Sequence, residues 1–543
     1  MTSIAAVSPT QLSIYWRRAV AWAIYDWANS AVVTIVIAAV FPIYFNTIAQ
    51  GELGYGAASA FSFAITISLL LSAVIGPVVG TLADIIGGRK RLLIVTTLLG
   101  SVAVCGMYSL RAPYCAPTAF DQTVNFCPLT IVQTGMWVWA VVLFVVMQIF
   151  LNTALALYDA LLSHIALQHD LDRLSALGYA LGYVGGGLIL AVGLGMILSP
   201  KTFGLPGVES ATRLTLFISG VWWLIFALPL FILVPEPPAS PLKTGASDGA
   251  LLDTFRRMGA TFREIRAYRE LFKMLIAFWL YSDGIGTIIQ LATTYGRQQI
   301  GLDQTVLIGA LLVTQFVAFP YSIMFGRFPD KQSKNRDFFV AFILWTAITF
   351  PLMGSFAAAS NASHGTTTGT TFIFIIVNQI VGLVFCWTVG RRLVAPLAER
   401  LTTKRSVIFG LVIYAVIAVW GFFLYSAAEF WMLAWLVGTV QGGTQALSRS
   451  LYSTLTPRSK SGEFFGFYGF SDKFAGILGP LLFGVIALAT GGNLRISILS
   501  VVIFFVLGAI LLARVDEVAG AEHAEREDAQ LHYHDELPGE TAT

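Results

Sequence analysis

The sequence holds 543 residues, 56% of them hydrophobic and 12% charged, with a formal net charge of +3. An ordinary soluble domain is about 25% charged, so a soluble globular chain is excluded: too little polar surface would remain to keep it dissolved. The small net charge points to no partner; its distribution along the chain does.

A hydrocarbon core about 30 Å thick needs roughly 20 apolar residues of helix at about 1.5 Å per residue. Fourteen such blocks are predicted. In the first half they are Val20–Phe45, Phe61–Leu82, Leu92–Leu110, Ile131–Leu157, Leu177–Leu198 and Leu214–Val234. In the second they are Phe272–Tyr295, Val306–Phe325, Phe338–Ala359, Phe372–Val389, Val407–Tyr425, Phe430–Leu451, Phe464–Ala489 and Ile496–Leu512. Backbone groups in lipid must bond internally, which leaves helices or a closed barrel. Continuous apolar runs, rather than short alternating ones, leave only helices. The expected class is therefore an all-α integral membrane protein.

The blocks divide the chain into a six-helix bundle (1–234), a linker (235–271), a second bundle (272–514) and an acidic tail (515–543) expected to be disordered. Within the linker, Leu251, Phe255, Met258, Phe262 and Ile265 recur at helical spacing among arginines. This predicts an amphipathic helix, lying either on the membrane surface or against the bundle ends. Basic residues gather in alternate loops, at Arg17 and Arg18, Arg89 to Arg91, Arg391 and Arg392, Lys404 and Arg405, and Arg458 and Lys460. The opposite loops hold only Arg111, Lys201, Arg213, Arg297 and Arg495. The positive-inside rule places both termini in the cytoplasm, and the basic loops read as topogenic charge rather than a nucleic-acid site. Cys115 and Cys127 share one outside loop, where they either pair as a disulfide or stay free thiols.

Val313, Gln315, Gly326 and Arg327 recur as Val377, Gln379, Gly390 and Arg391 at a constant offset. This suggests an inserted helix pair near 337–392, which leaves the orientation of everything downstream unchanged. No metal-spaced His/Cys set, HExxH pair or GxxxxGK loop is present in the sequence, so neither an enzyme, a metal site nor a cofactor is expected.

Ionisable residues within lipid are costly and usually face a cavity. Asp26 and Asp283 stand well inside the first span of each half, each suited either to reversible protonation or to a fixed hydrogen bond. Tyr25, Asn29, Asn152, Tyr281, Gln290, Gln441 and Gln445 are further candidate lining residues. Arg449 continues the stripe of Gln441 and Gln445, a face fit to bind a carboxylate. Asp159, beside Tyr158, reads as edge chemistry. Glycines Gly178, Gly182 and Gly186 recur at the spacing that lets helices touch.

The loop GTLADIIGGRKR, Gly80 to Arg91, resembles the loop signature of the major facilitator superfamily. Gly80 permits close helix approach, and Asp84 can cap a helix and bind Arg89 or Lys90 as a gate; Asp330 and Lys331 form a partial copy in the second half. Within that superfamily, YDWANS (Tyr25 to Ser30), LSALGYALGYVGGG (Leu174 to Gly187), YSDGIGTII (Tyr281 to Ile289), QGGTQALSRS (Gln441 to Ser450) and EFFGFYGFSDKFAGILGP (Glu463 to Pro480) resemble the vacuole-effluxer-like, or "unknown major facilitator", family. The resemblance implies a major facilitator fold of two pseudo-symmetric bundles, here with about 14 helices, 12 core plus the inserted pair. It further implies a monomeric secondary transporter in the bilayer of the cell inner membrane, moving small molecules such as amino acids outward by alternating access with proton coupling. An exporter of amphipathic compounds or lipids is the alternative, and a non-transporting membrane receptor the alternative of another class.

Overall fold

The computed structural model describes residues 9–53, 56–111, 135–239, 268–302, 304–364, 368–476, 478–491 and 493–531. Every element among them is helical. The first half comprises α1 (Pro9–Val32), which runs on through a π-helical stretch (Val33–Ala39), α2 (Phe41–Leu53), α3 (Gly56–Ile86), α4 (Arg89–Gly106), α5 (Met136–Ile165), α6 (Leu171–Leu198) and α7 (Val208–Leu233). The second half begins with α8 (Arg269–Tyr295), α9 (Gln304–Phe325), α10 (Arg336–His364) and α11 (Thr368–Phe385), which passes through a π turn (Cys386–Gly390) into the short α12 (Arg391–Ala398). It continues with α13 (Thr403–Phe422), α14 (Ala427–Thr454), α15 (Ser461–Phe474), α16 (Leu478–Ala489), α17 (Leu494–Ser500), α18 (Val502–Ala513) and a last helix, α19 (Glu517–Gln530).

Two separate apolar cores result. One draws its buried residues from Ala19 to Val234. The other runs from Tyr268 to Val515 and takes in only Ala160 from the first half. In the first half α1 packs on α6 and α7, α5 on α3 and α4, and α4 on α7. In the second half α8 packs on α15, α16 and α18, α14 on α9 and α13, and α13 on α18. With α10, α11 and α12 set aside, the second pattern repeats the first.

Twelve stretches among the described residues are long and apolar enough to cross a membrane, against the fourteen expected. The two that fall short are the expected spans Phe430–Leu451 and Phe464–Ala489, and each has a physical reason. The first lies in α14, which is walled by protein rather than lipid: Gly442 meets Ser322, Gly443 meets Phe325, and Thr444 fills the space beside Gly410. A helix surrounded by helices tolerates small and polar residues on every face, which lowers its hydropathy. The second is not one helix but two, α15 and α16, interrupted by a turn at Ala475 and Gly476.

The acidic tail is the second correction, because residues 517–530 form α19 rather than a disordered segment. Asp516 caps the helix by accepting from the backbone N–H groups of Val518 and Ala519. Its small residues Gly520 and Ala524 are buried, and Gly520 lies directly against Leu455. Low apolar content thus hid a narrow docking face. The predicted linker helix at 251–265 lies outside the described residues, as do Cys115 and Cys127.

The pair α10–α11 is fastened by polar side chains on the inner face of α11. Gln379 accepts from Tyr321 of α9 at 3.0 Å, and Asn378 Oδ1 accepts from Trp345 Nε1 at 3.2 Å and Thr349 Oγ1 at 3.1 Å. The other face of α11 carries exposed Ile373, Ile376, Ile380 and Val384. Gln315, its counterpart in the repeat, instead packs with Phe316 against Gly187 of α6.

Candidate functional site

Arg449 stands five residues before the end of α14, and Asp159 six before the end of α5. At about 1.5 Å per residue they lie one to two turns inside the face that carries the basic loops. The Arg449 guanidinium crosses from the second half into the first. Its Nη1 and Nη2 donate to Asp26 Oδ2 at 3.2 and 3.1 Å, and Nη1 also donates to Asp159 Oδ1 at 3.0 Å. Nε donates to Ser175 Oγ and Nη2 to the Ser175 carbonyl, both at 3.0 Å. Every nitrogen of the fork is therefore used. Rings of Tyr179, Trp22 and Tyr158 surround the cation with centroids 4.4, 4.9 and 5.5 Å from its central carbon.

The first half shapes itself around this pair. Tyr158 donates to Asp26 Oδ2 at 2.9 Å, and Asn29 Nδ2 donates to the Tyr25 carbonyl at 2.8 Å and to Asp26 Oδ1 at 3.4 Å. Tyr25 packs its ring tilted against Tyr158, 4.8 Å between centroids, and shares a 2.6 Å hydrogen bond with Thr97. A Cβ on Gly178 would overlap Asp26 Oδ2 and come within 2.9 Å of Arg449 Nη2. The glycine spacing on α6 thus makes room for an ion pair as well as for helix contact. Gln445 accepts from Tyr183 of α6 at 2.8 Å, and Gln441 lies one turn away on the same half-buried face.

Of the residues expected to line a site, Tyr25, Asp26, Asn29, Gln441, Gln445 and Arg449 are brought to this junction. Asn152 instead bonds Ser72 at 3.1 Å within the first half, Tyr281 donates to Ser448 at 2.6 Å within the second, and Gln290 is exposed. Asp283 does not face Asp26. Its Oδ1 accepts from Gly479 N at 2.9 Å in the first turn of α16, inside its own half. Asp159, read as edge chemistry, is a direct partner of Arg449, and Ser175, Tyr179 and Trp22 were not singled out. The run LSALGY, with small Ser175 and Gly178 flanking the contact, was the available signal.

Nearer the basic face the two halves meet along α3 and α15. Gly80 approaches Gly462 so closely that a Cβ on either would overlap the other's carbonyl region. Asp84 accepts from Gly462 N at 3.0 Å and Glu463 N at 2.8 Å, capping α15, and holds Arg89 Nε at 2.6 Å. Arg89, fully buried, also reaches the carbonyls of Pro238, Arg458 and Ser459. Lys90 is elsewhere: its ammonium donates to the Val234 carbonyl at 2.7 Å and ties down the end of α7. Asp330 pairs with Arg173 of α6 at 3.2 Å, a further tie between the halves, whereas Lys331 is exposed.

Tail helix α19 reinforces the same turn. Asp528 accepts from Arg458 N at 2.8 Å, Ser459 N at 3.1 Å and Ser459 Oγ at 2.6 Å. Glu527 bonds Tyr268 and pairs with Lys460 at 2.7 Å. Burial works against the Lys460 ammonium, but the bonds to Glu527 and Tyr268 hold its pKa above the ordinary lysine value. No group of three or more metal-ligating side chains occurs among the described residues.

The family described as "Vacuole effluxer Atg22 like" matches this chain over residues 53–368 and 338–525. The chain is 30% identical over 518 residues to the MFS-type transporter YxiO of Bacillus subtilis (strain 168), covering 93% of this chain and 96% of that one. It is 24% identical over 358 residues to autophagy-related protein 22-1 of Penicillium rubens, and 24% identical over 375 residues to autophagy-related protein 22 of Yarrowia lipolytica. Those alignments cover 63% and 65% of this chain but only 49% and 52% of the relatives, so the chain spans about half the length of these fungal proteins. Among solved structures it is similar to the proton:xylose symporter XylE (TM-score 0.57, 14% identity, 95% of this chain and 99% of that one). A bacterial homologue of the iron transporter ferroportin, in an outward-facing state, is similar at a TM-score of 0.53 and 12% identity, over 92% of this chain and 99% of that one. At these identities the structural likeness speaks for the fold alone.

Proposed function

The chain belongs to the vacuole effluxer Atg22-like family of the major facilitator superfamily, and on that premise we propose that it exports amino acids by alternating access with proton coupling. It is a multi-pass membrane transporter, not an enzyme. In this reading it works as a monomer in the cell inner membrane, with the basic face and both termini in the cytoplasm. The term "effluxer" in the family's description and the excess of basic residues on one face support that orientation.

The carrying observation is the junction at Arg449. One guanidinium and two carboxylates, Asp26 and Asp159, leave a formal charge of −1 in a buried place, which is costly unless something neutralises it. A proton on Asp26 removes that charge and weakens the hold of Arg449, so the halves can part. The pair is also complementary to a zwitterion: a substrate carboxylate can take the guanidinium while its ammonium takes Asp26. Gate residues Gly80, Asp84 and Arg89, with Arg173 and Asp330, would close the basic face while the site is loaded from or released to the other. Each charge crossing draws on about 2.3 kcal/mol per 100 mV, enough for a useful gradient with one or two protons.

Uptake and counterflow in proteoliposomes, with a panel of amino acids and with or without a pH gradient, test this reading. Asp26→Asn should abolish proton-driven flux and spare exchange of substrate for substrate. Proton-driven flux that survives Asp26→Asn would make Asp26 a structural residue, and no flux of any amino acid in the wild type would remove the substrate class.

A further inference from the structure

Asp283 is 1% exposed, yet only one of its two carboxyl oxygens is satisfied. Oδ1 accepts from Gly479 N and the adjacent Leu478 N–H also faces the carboxyl, while Oδ2 is buried with no hydrogen-bond partner among the described residues. Thr287, one turn on, donates its hydroxyl to the Asp283 main-chain carbonyl at 2.6 Å and not to Oδ2. A buried, unpaired carboxylate oxygen is normally avoided, because desolvation is not repaid by any donor.

Among the described residues the surroundings supply no opposite charge. From α18, Phe504 and Phe505 press against Gly284, and Tyr414 of α13 stacks on Phe505. From α15, Tyr468 stacks on Phe278; α16 brings Gly479, whose missing side chain leaves room for Thr287 and the carboxyl. Tyr281, on α8 itself, donates to Ser448 of α14. Asp472 and Lys473 of α15 have side chains outside the described residues.

Position gives the carboxyl its leverage. It holds the first turn of α16, the distal piece of the broken helix, through a charge-assisted bond at a helix N-terminus. The proximal piece, α15, is held at its own N-terminus by Asp84. One interrupted helix therefore joins the buried carboxyl to the contact that closes the basic face.

We infer that Asp283 is a second proton-binding site, and that a proton on Oδ2 loosens α16 from α8 and lets α15 leave Asp84. Ionised, Oδ1 binds the Gly479 N–H and the helix end strongly and the broken helix stays in place. Protonated at Oδ2, the group is neutral, its charge–dipole attraction is gone, and the bend at Ala475 and Gly476 is free to change. This rests on the alternating-access reading above and adds to it a proton site confined to the second half.

Infrared difference spectra of the purified full chain in lipid nanodiscs, taken across a pH series, read protonated carboxyl groups directly and need no transport. Wild type should show titrating carboxyl C=O bands, one of which Asp283→Asn removes, Asp26→Asn keeps and Asp283→Glu shifts in frequency. Lys473→Met should leave the titration unchanged. In a cysteine-free background, spin labels at the exposed positions Arg91→Cys and Arg405→Cys should report a pH-dependent distance between the halves, lost when Asp283→Asn is added. Spectra in which no titrating band responds to either Asp283 substitution, a titration abolished by Lys473→Met, or a distance response that survives Asp283→Asn would each overturn the inference. A chain that transports while Asp283 never titrates sinks only this inference; one whose Asp283 titrates but which moves nothing sinks only the transport reading.

Discussion

Asp26 on α1 and Asp283 on α8 occupy the first helices of two halves that pack alike, yet their partners differ in kind. Asp26 is gripped by a guanidinium from the opposite half, while Asp283 meets a main-chain N–H of its own half and keeps one oxygen unbound. The difference teaches what a buried carboxyl can be asked to do. Where the charge sits between moving bodies, its pairing decides whether they adhere. Where it sits within one body, its pairing decides the shape of that body. Similar helical frames have thus been given unlike electrostatic tasks.

The sharpest way to break this contrast is to remove the cation. Arg449→Met leaves buried Asp26 and half-buried Asp159 without their cation, and loss of one member of a buried pair costs roughly 3–5 kcal/mol. Thermal unfolding in detergent should show a large drop in Tm, and Arg449→Lys should not restore it, because an ammonium cannot serve two carboxylates and Ser175 with one planar fork. An unchanged Tm would mean the pair carries no weight between the halves.

A matched pair of glycine substitutions sharpens the comparison. Gly178→Ala intrudes on the Asp26–Arg449 pair, and Gly479→Ala intrudes on Thr287 beside Asp283. Overpacking of this kind costs about 1–3 kcal/mol in either place. Gly178→Ala should weaken cross-linking of cysteines placed across α6 and α14, and Gly479→Ala only that of cysteines placed across α3 and α15; equal weakening at both places by either would erase the distinction drawn here.

The smallest effect sets the baseline. Arg173→Ala removes a half-exposed tie to Asp330, and exposed pairs contribute about 0–1 kcal/mol. Its Tm should stay near wild type, and a fall as large as that of Arg449→Met would show that surface ties, not the buried cage, hold the halves.

Much of this was legible in the sequence, but as parts. Asp84 was read as a helix cap with a basic partner, and it caps α15 and binds Arg89; Asp26 and Arg449 were both chosen as candidates. Their pairing was hidden because 423 residues separate them, and no local pattern encodes a contact at that distance. The equivalent depth of Asp26 and Asp283 in their spans does not reveal their different surroundings; helical register, not depth, turns Asp283 toward α16. Lys90 and Lys331 were assigned to the gate by charge alone, although neither presents its ammonium there. Helix α14 is legible as a span although the protein around it lowers its hydropathy, whereas α19 is hidden because two small residues suffice for its docking face.

The clasp between α19 and the turn at Arg458 carries a consequence for how the protein is made. Glu527 and Asp528 follow every spanning helix among the described residues, so the turn whose carbonyls receive Arg89 gains these ligands only after those helices have been inserted. A half-translated chain therefore lacks that reinforcement, and a bulky fusion placed directly after Gln530 would be felt at the mouth of the transporter rather than at a loose end.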